Sequence, residues 1–179
     1  MGVNIVAAFW GLAEATLFFI VPDVWTSAAG LKDLRRGLFA CLWALAGALL
    51  GGIVMYRWGA FDFGSAVAAV GRVPAVSDAM IGRVANELAN DGLLAILLGP
   101  LSGTPYKVYA VQADHAGIGL ASFLLISIPA RLIRFILVTW VCHRIGRVVR
   151  PYTSDRTVLV LLLVGWAIFY IIYFSLMAS

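Results

Sequence analysis

Two stretches of this chain leave little choice of solvent. LFACLWALAGALLGGIVMY (38–56) and TVLVLLLVGWAIFYIIYFSLM (157–177) carry no charged side chain. A helix crossing the hydrocarbon core needs about 20 mostly apolar residues, because lipid offers its backbone no hydrogen-bond partner. Both stretches meet that requirement. The rest of the chain agrees: 63% of its 179 residues are hydrophobic, 12% are charged, and the mean hydropathy is +0.98, far from the composition of a soluble domain. The sequence reads as one all-α integral membrane domain over 1–179, with no room for a separate soluble module.

Three further apolar segments are interrupted. The first, 3–29, contains EATLFFIVPDV (14–24), which places Glu14, Pro22 and Asp23 where a plain span would carry leucine. Another, LLAILLGPLSGTPYKVYAVQA (93–113), is broken by Gly99, Pro100, Gly103 and Pro105 and carries Lys107. The segment 116–142 holds Pro129, Arg131 and Arg134. Between 57 and 92 the chain is more polar. There Val76, Met80, Ile81, Val84 and Leu88 recur at helical spacing opposite Asp78, Arg83, Glu87 and Asp91, which predicts an amphipathic helix over 75–91 lying on the membrane or on the protein. Gly92 is its stop signal.

Charge placement decides which segments cross. Lys32, Arg35 and Arg36 precede the span 38–56, and Arg144, Arg147, Arg150 and Arg156 follow the segment 116–142. The positive-inside rule puts both clusters in the cytoplasm, so 31–37 and 143–156 are expected inside and 57–92 outside. Three crossings between the clusters would separate them, so one segment must turn back. With two prolines and two glycines, 93–113 is that segment. A re-entrant loop is tolerated where protein or a watery cavity satisfies its backbone. The segment 3–29 has the same character, with Pro22 marking its turn. The predicted fold is an inverted repeat of re-entrant hairpin plus transmembrane helix (3–29 with 38–56, 93–113 with 116–142), completed by the span 157–177, an architecture used by secondary transporters. Gly47 and Gly51 offer a small-residue face for helix packing, and the Trp and Tyr residues of 157–177 suit interfacial belts.

Ionisable residues at membrane depth cost about 2.5–3.5 kcal/mol each on insertion scales and are kept where they pair or face a cavity. This chain has Glu14, Asp23, Lys107, Arg131 and Arg134 there. Buried pairs contribute little stability over an apolar core, which favours function over a purely ionic staple. Glu14 is the first choice for a proton site, because burial favours its neutral form and a nearby arginine its charged form. Asp23 either shares that role or caps the helix after Pro22. Arg131 and Arg134, three apart, share a helix face and suit a phosphate headgroup, with Lys107 as a third cation. Tyr106, Tyr109 and Gln112 read as packing residues, and His115 and His143 as loop or capping residues.

Other classes find little support. No basic stripe suits nucleic acid. Cys41 and Cys142 are isolated in apolar runs and suggest neither a disulfide nor a metal site. No nucleophile constellation accompanies Ser102 or Thr104, and no phosphate loop is present, so neither an enzyme nor a cofactor is expected. No Lys or Arg precedes Lys32, and Glu14 interrupts any signal-peptide core, so the N-terminal segment is taken as part of the mature protein.

Glu14 followed by Pro22-Asp23, GALLGGIVMYRWG (47–59), GPLSGTPYKVYAVQA (99–113) and FLLISIPARLIRF (123–135), in that order, resemble the DedA family, also called the SNARE-associated or VTT-domain family. The likeness covers about three quarters of the chain and is that of a short member. It implies two opposed re-entrant hairpins and the flipping or scrambling of a lipid such as undecaprenyl phosphate or a phospholipid, with dependence on the proton gradient. Glu14 and Asp23 match the family's first-hairpin acids. In the second hairpin, Ser102 stands where the family's first arginine would be, and Lys107 stands close to the second. The expected partners are membrane lipids and protons in an inner-membrane, multi-pass setting, with self-association left open. A small-solute or ion transporter on the same fold and a structural assembly factor are the competing functions.

Overall fold

The computed structural model describes residues 2–177. Nine α-helices occur among them, and no strand. They are α1 (Gly2–Ala15), α2 (Asp23–Gly30), α3 (Leu34–Phe61), α4 (Phe63–Val70), α5 (Asp78–Asp91), α6 (Leu93–Leu98), α7 (Tyr106–Gln112), α8 (Leu120–Val149) and α9 (Asp155–Met177). Three of them are long and apolar enough to cross a membrane, namely α3, α8 and α9. The protein is an all-α membrane protein.

The long helices outrun their apolar cores because polar residues cap and extend them. Asp33 accepts from the backbone N–H groups of Arg35 and Arg36 at 2.9 and 3.3 Å, so α3 starts four residues before the uncharged run. Asp62 ends α3 and accepts from Ser65 N–H, starting α4. The short α4 is an addition to the sequence reading: its small apolar residues sit inside an interval judged by its charges. Ser77 caps α5 through Met80 N–H, trimming the expected 75–91 to 78–91. Met80, Val84 and Leu88 are buried in the protein core, so α5 lies on the protein. Gly92, at φ +56°, reverses the chain into α6.

Glycines set the helix directions. A Cβ on Gly47 would collide with the Ala8 carbonyl, one on Gly11 with that of Ala44, and one on Gly51 with Leu12 O and Ala15 Cβ at 2.8 Å. These contacts pack α1 parallel to α3 through the predicted small-residue face. α2 runs back along α1: Trp25 Nε1 donates to Val3 O, Trp10 Nε1 donates to Ile20 O, and the two indoles stack at 6.1 Å. α6 and α7 form the second hairpin, joined by a 3-10 turn (Gly99–Leu101) and Gly103 at φ +86°. Tyr106 packs on Gly52 and Val111 on Gly59, so α7 also parallels α3. α8 runs antiparallel to it, with Tyr56 OH donating to Ile118 O at one end and Cys41 Sγ 3.3 Å from Thr139 Oγ1 at the other.

Both basic clusters lie at one end of this bundle, as the charge argument required. Lys32 pairs with Asp155 at 2.6 Å and Arg150 donates to Leu31 O at 2.8 Å, tying the foot of α9 to the α2–α3 turn. Asp155 stands ahead of the uncharged run of α9, and the Lys32 hydrogen bond, helped by Arg150, holds its carboxyl below the ordinary titration range.

Candidate functional site

Each of the five ionisable residues of the apolar segments has a definite place in this architecture. Glu14 lies in the last turn of α1, Asp23 opens α2, Lys107 is the second residue of α7, and Arg131 and Arg134 sit one turn apart in the middle of α8. The turns of the two hairpins meet α8 at this level and bring all five together. Glu14 pairs with Arg131, and Asp23 pairs with Arg134 at 2.6 Å. Lys107 Nζ reaches across to the first turn and donates to Phe18 O at 2.6 Å. It forms no ion pair among the described residues.

The two pairs differ in access. Arg131 is 2% exposed, with its guanidinium over the rings of Tyr106 (4.6 Å) and Phe135 (5.2 Å). Arg134 has 24% of its side chain exposed and faces an open space. Asp23 is fully buried; its Oδ1 has no hydrogen-bond partner, nor does Arg131 Nε. The Asp23 side chain caps nothing. It sits in the first turn of α2 and accepts from Arg134, so the capping alternative is set aside. Its charge still suits that helix end, whereas Lys107 sits at the N-terminal end of α7, where the helix dipole disfavours a cation.

The open space is a cavity of about 780 Å³ between α8, α9 and the two hairpin turns. Glu14, Asp23, Lys107 and Arg134 line its middle; Arg131 does not line it. Towards the basic end the walls are Leu31, Gly146, Val149 and Val158, and towards the other they are Val73 and Pro74. Pro100, Gly103 and Pro105 of the second turn line it too, with Ser102 and Thr104. Pro22 stands at the head of α2, where its carbonyl accepts from Trp25 and Thr26. Gly99 abuts the Tyr109 ring.

The far wall was missed by the sequence reading. Trp166, Phe169, Tyr170 and Tyr173 of α9 line the cavity, where an interfacial belt was expected of that helix's aromatics. The cause is the open backbone of the hairpin turns, together with a hydroxyl of α2. Tyr170 OH accepts from Val21 N–H at 2.7 Å, Trp166 Nε1 donates to Ser27 Oγ, and Tyr173 OH donates to Gly103 O at 3.3 Å. Their spacing of three and four residues is the signal that marks one helix face. The packing residues hold as expected: Tyr106 OH donates to Ser127, Tyr109 OH to Glu87 and Gln112 Nε2 to Ile81 O. His143 Nδ1 lies 2.8 Å from Gly30 O at the end of α2, and His115 stacks on Phe63.

No family model, curated protein or solved structure matches the chain. The resemblance to the DedA family therefore rests on the residues quoted for it, and the function on this geometry.

Proposed function

We propose that the chain is a multi-pass inner-membrane protein of the DedA kind that moves a phosphate-bearing lipid, such as undecaprenyl phosphate or a phospholipid, between leaflets. The observation carrying this reading is an apolar cavity reaching towards both ends of the bundle, with Lys107, Arg134 and two carboxylates lining its middle and Arg131 behind Glu14. Apolar walls suit acyl or prenyl chains, and a positive centre suits a phosphate. They count against the alternative, a small-solute or ion transporter, whose path would be lined by polar groups. Lys107 and Arg134 are the headgroup ligands in this reading. Arg131 holds Glu14 from behind, which shifts it from the ligand role expected of it to a positioning one.

In this reading the α1–α2 and α6–α7 hairpins are re-entrant, entering from opposite membrane faces as an inverted repeat. Their parallel packing on α3 and the shared position of the two basic clusters support it. Protein reconstituted in vesicles should accelerate exchange of a phosphate-headgroup lipid, and no acceleration over several headgroups, with or without a proton gradient, would remove the proposal. For topology, single cysteines at Ser65 and Val149, in a background lacking Cys41 and Cys142, should react with an impermeant thiol reagent on intact cells at Ser65 alone.

A further inference from the structure

We propose that the charge of the bound phosphate sets the number of protons the site takes up: none for a phosphodiester lipid, one for a phosphomonoester, with Asp23 as acceptor. This rests on the lipid-transport reading and specifies its substrate chemistry.

The argument begins with charge balance in a buried place. Glu14, Asp23, Lys107 and Arg131 are each at most 4% exposed, and an uncompensated charge there is costly. Arg131 and Arg134 are matched by Glu14 and Asp23, so Lys107 is the charge in excess, held by a neutral carbonyl. A phosphodiester brings one negative charge and balances the site with both carboxylates ionised. A phosphomonoester carries about −1.5 to −2 at pH 7. Fully ionised, it leaves one negative charge too many, and adding a proton to a carboxylate removes it.

Access decides which carboxylate. A phosphate in the cavity reaches Lys107 and Arg134, because both line it, whereas Arg131 lies behind Glu14 under two aromatic rings. Glu14 keeps its partner. Asp23 loses its only side-chain donor, and its Oδ1 has none already. The other groups facing Asp23 are Cys41 of α3, Cys142 of α8 and Tyr170 of α9. Glu14 is faced by Tyr106 and Lys107 of α7 and by Arg134 and Tyr170. Thiols and phenols are ordinarily neutral at pH 7 and add no negative charge to be compensated. A phosphate gripped by both Lys107 and Arg134 is held in its ionised form, so the proton goes to Asp23 itself.

The test compares dioleoyl phosphatidic acid with its methyl ester, which keeps the acyl chains and loses one charge. Each is added to purified protein in weakly buffered detergent with a pH indicator. Above the lipid's own second ionisation, phosphatidic acid should bind with uptake of about one proton, and its affinity should fall about tenfold per pH unit. The methyl ester should bind with no uptake and a flat pH profile. Equal uptake for the two lipids overturns this proposal and leaves lipid binding standing; failure of both lipids to bind overturns the transport reading as well. Soluble methyl phosphate binding as tightly as phosphatidic acid would reassign the site to free phosphates and overturn both. Difference infrared spectroscopy locates the proton, since phosphatidic acid should induce a carboxylic-acid band. Asp23→Glu should shift that band and Glu14→Asp should leave it in place. An absent band, a band unmoved by Asp23→Glu, or a band moved by Glu14→Asp each overturns the assignment to Asp23. Either variant alone decides the assignment if the other fails to fold.

Discussion

On one side of the charged cluster, α1 and α3 meet backbone to backbone through Gly11, Gly47 and Gly51, and Arg131, the partner of Glu14, is sealed under aromatic rings. On the other side, α9 stands off across the cavity, held by Trp166, Tyr170, Tyr173 and its foot at Asp155, and the Asp23–Arg134 pair faces open space. Half of the apolar window of α3 is buried inside the protein, against 6% for α9. The same cluster thus has a side built for permanence and a side built for access. An ion pair stabilises the first and remains available to a ligand on the second.

The sharpest way to break this contrast is to truncate each arginine. Arg131→Ala empties the place under the Tyr106 and Phe135 rings and leaves the buried Glu14 carboxylate without its partner, which should cost about 3–5 kcal/mol, read as a large fall in thermal midpoint. Arg134→Ala should cost clearly less, because the Arg134 side chain is 24% exposed to the cavity and its removal leaves space continuous with it, but should weaken phosphate-lipid binding about tenfold or more. Equal thermal losses would dissolve the distinction between the sides.

Glycine substitutions probe the helices themselves. Gly47→Leu pushes against the Ala8 carbonyl and should lose at least about 1–3 kcal/mol, since backbone yields less than side chains. Gly165→Leu on α9 has nothing within 4 Å of its Cβ and lines the cavity. It should keep the wild-type thermal midpoint and slow lipid exchange by occupying the path. A destabilised Gly165→Leu protein would show that α9 is packed rather than standing off.

Two smaller effects sharpen the picture of α9. Tyr170→Phe removes the acceptor of Val21 N–H and should cost about 1 kcal/mol, with faster hydrogen exchange at Val21 as the local readout. The foot should respond to acid. Because Lys32 and Arg150 hold the Asp155 carboxyl below its ordinary range, its contribution is complete above that range and is lost as pH falls through the depressed value. Spin labels on the 31–33 turn and the start of α9 should move apart only at strongly acidic pH, and Asp155→Asn should abolish that pH dependence.

Much of the fold was legible because lipid imposes simple rules. The uncharged run 38–56 falls within α3 and 157–177 within α9, the prolines and glycines of 93–113 break that segment into α6 and α7, and Gly47 and Gly51 meet α1. Asp33 and Asp62 lengthened or divided helices through caps that a hydropathy reading passes over. The site was legible as a set and not as a geometry. Glu14, Asp23, Lys107, Arg131 and Arg134 stand out by type alone, whereas their pairing depends on the depth each reaches in the bundle. A side chain buried in protein and one facing a cavity look alike in sequence. For that reason Arg131 and Arg134 carried the same expectation, and Tyr170 carried only that of an interfacial belt.

The Lys107–Phe18 contact bears on turnover. A carrier that grips its cargo too well releases it slowly, since affinity differences reside mostly in off-rates. Under the proposed lipid transport, with Phe18 O 2.6 Å from Nζ, an arriving phosphate would have to displace a resident acceptor, and a departing one would leave its cation already solvated by the protein. Such a standing competition would lower affinity in the same measure as it eases escape, which would make the first hairpin's turn the return spring of the proposed cycle.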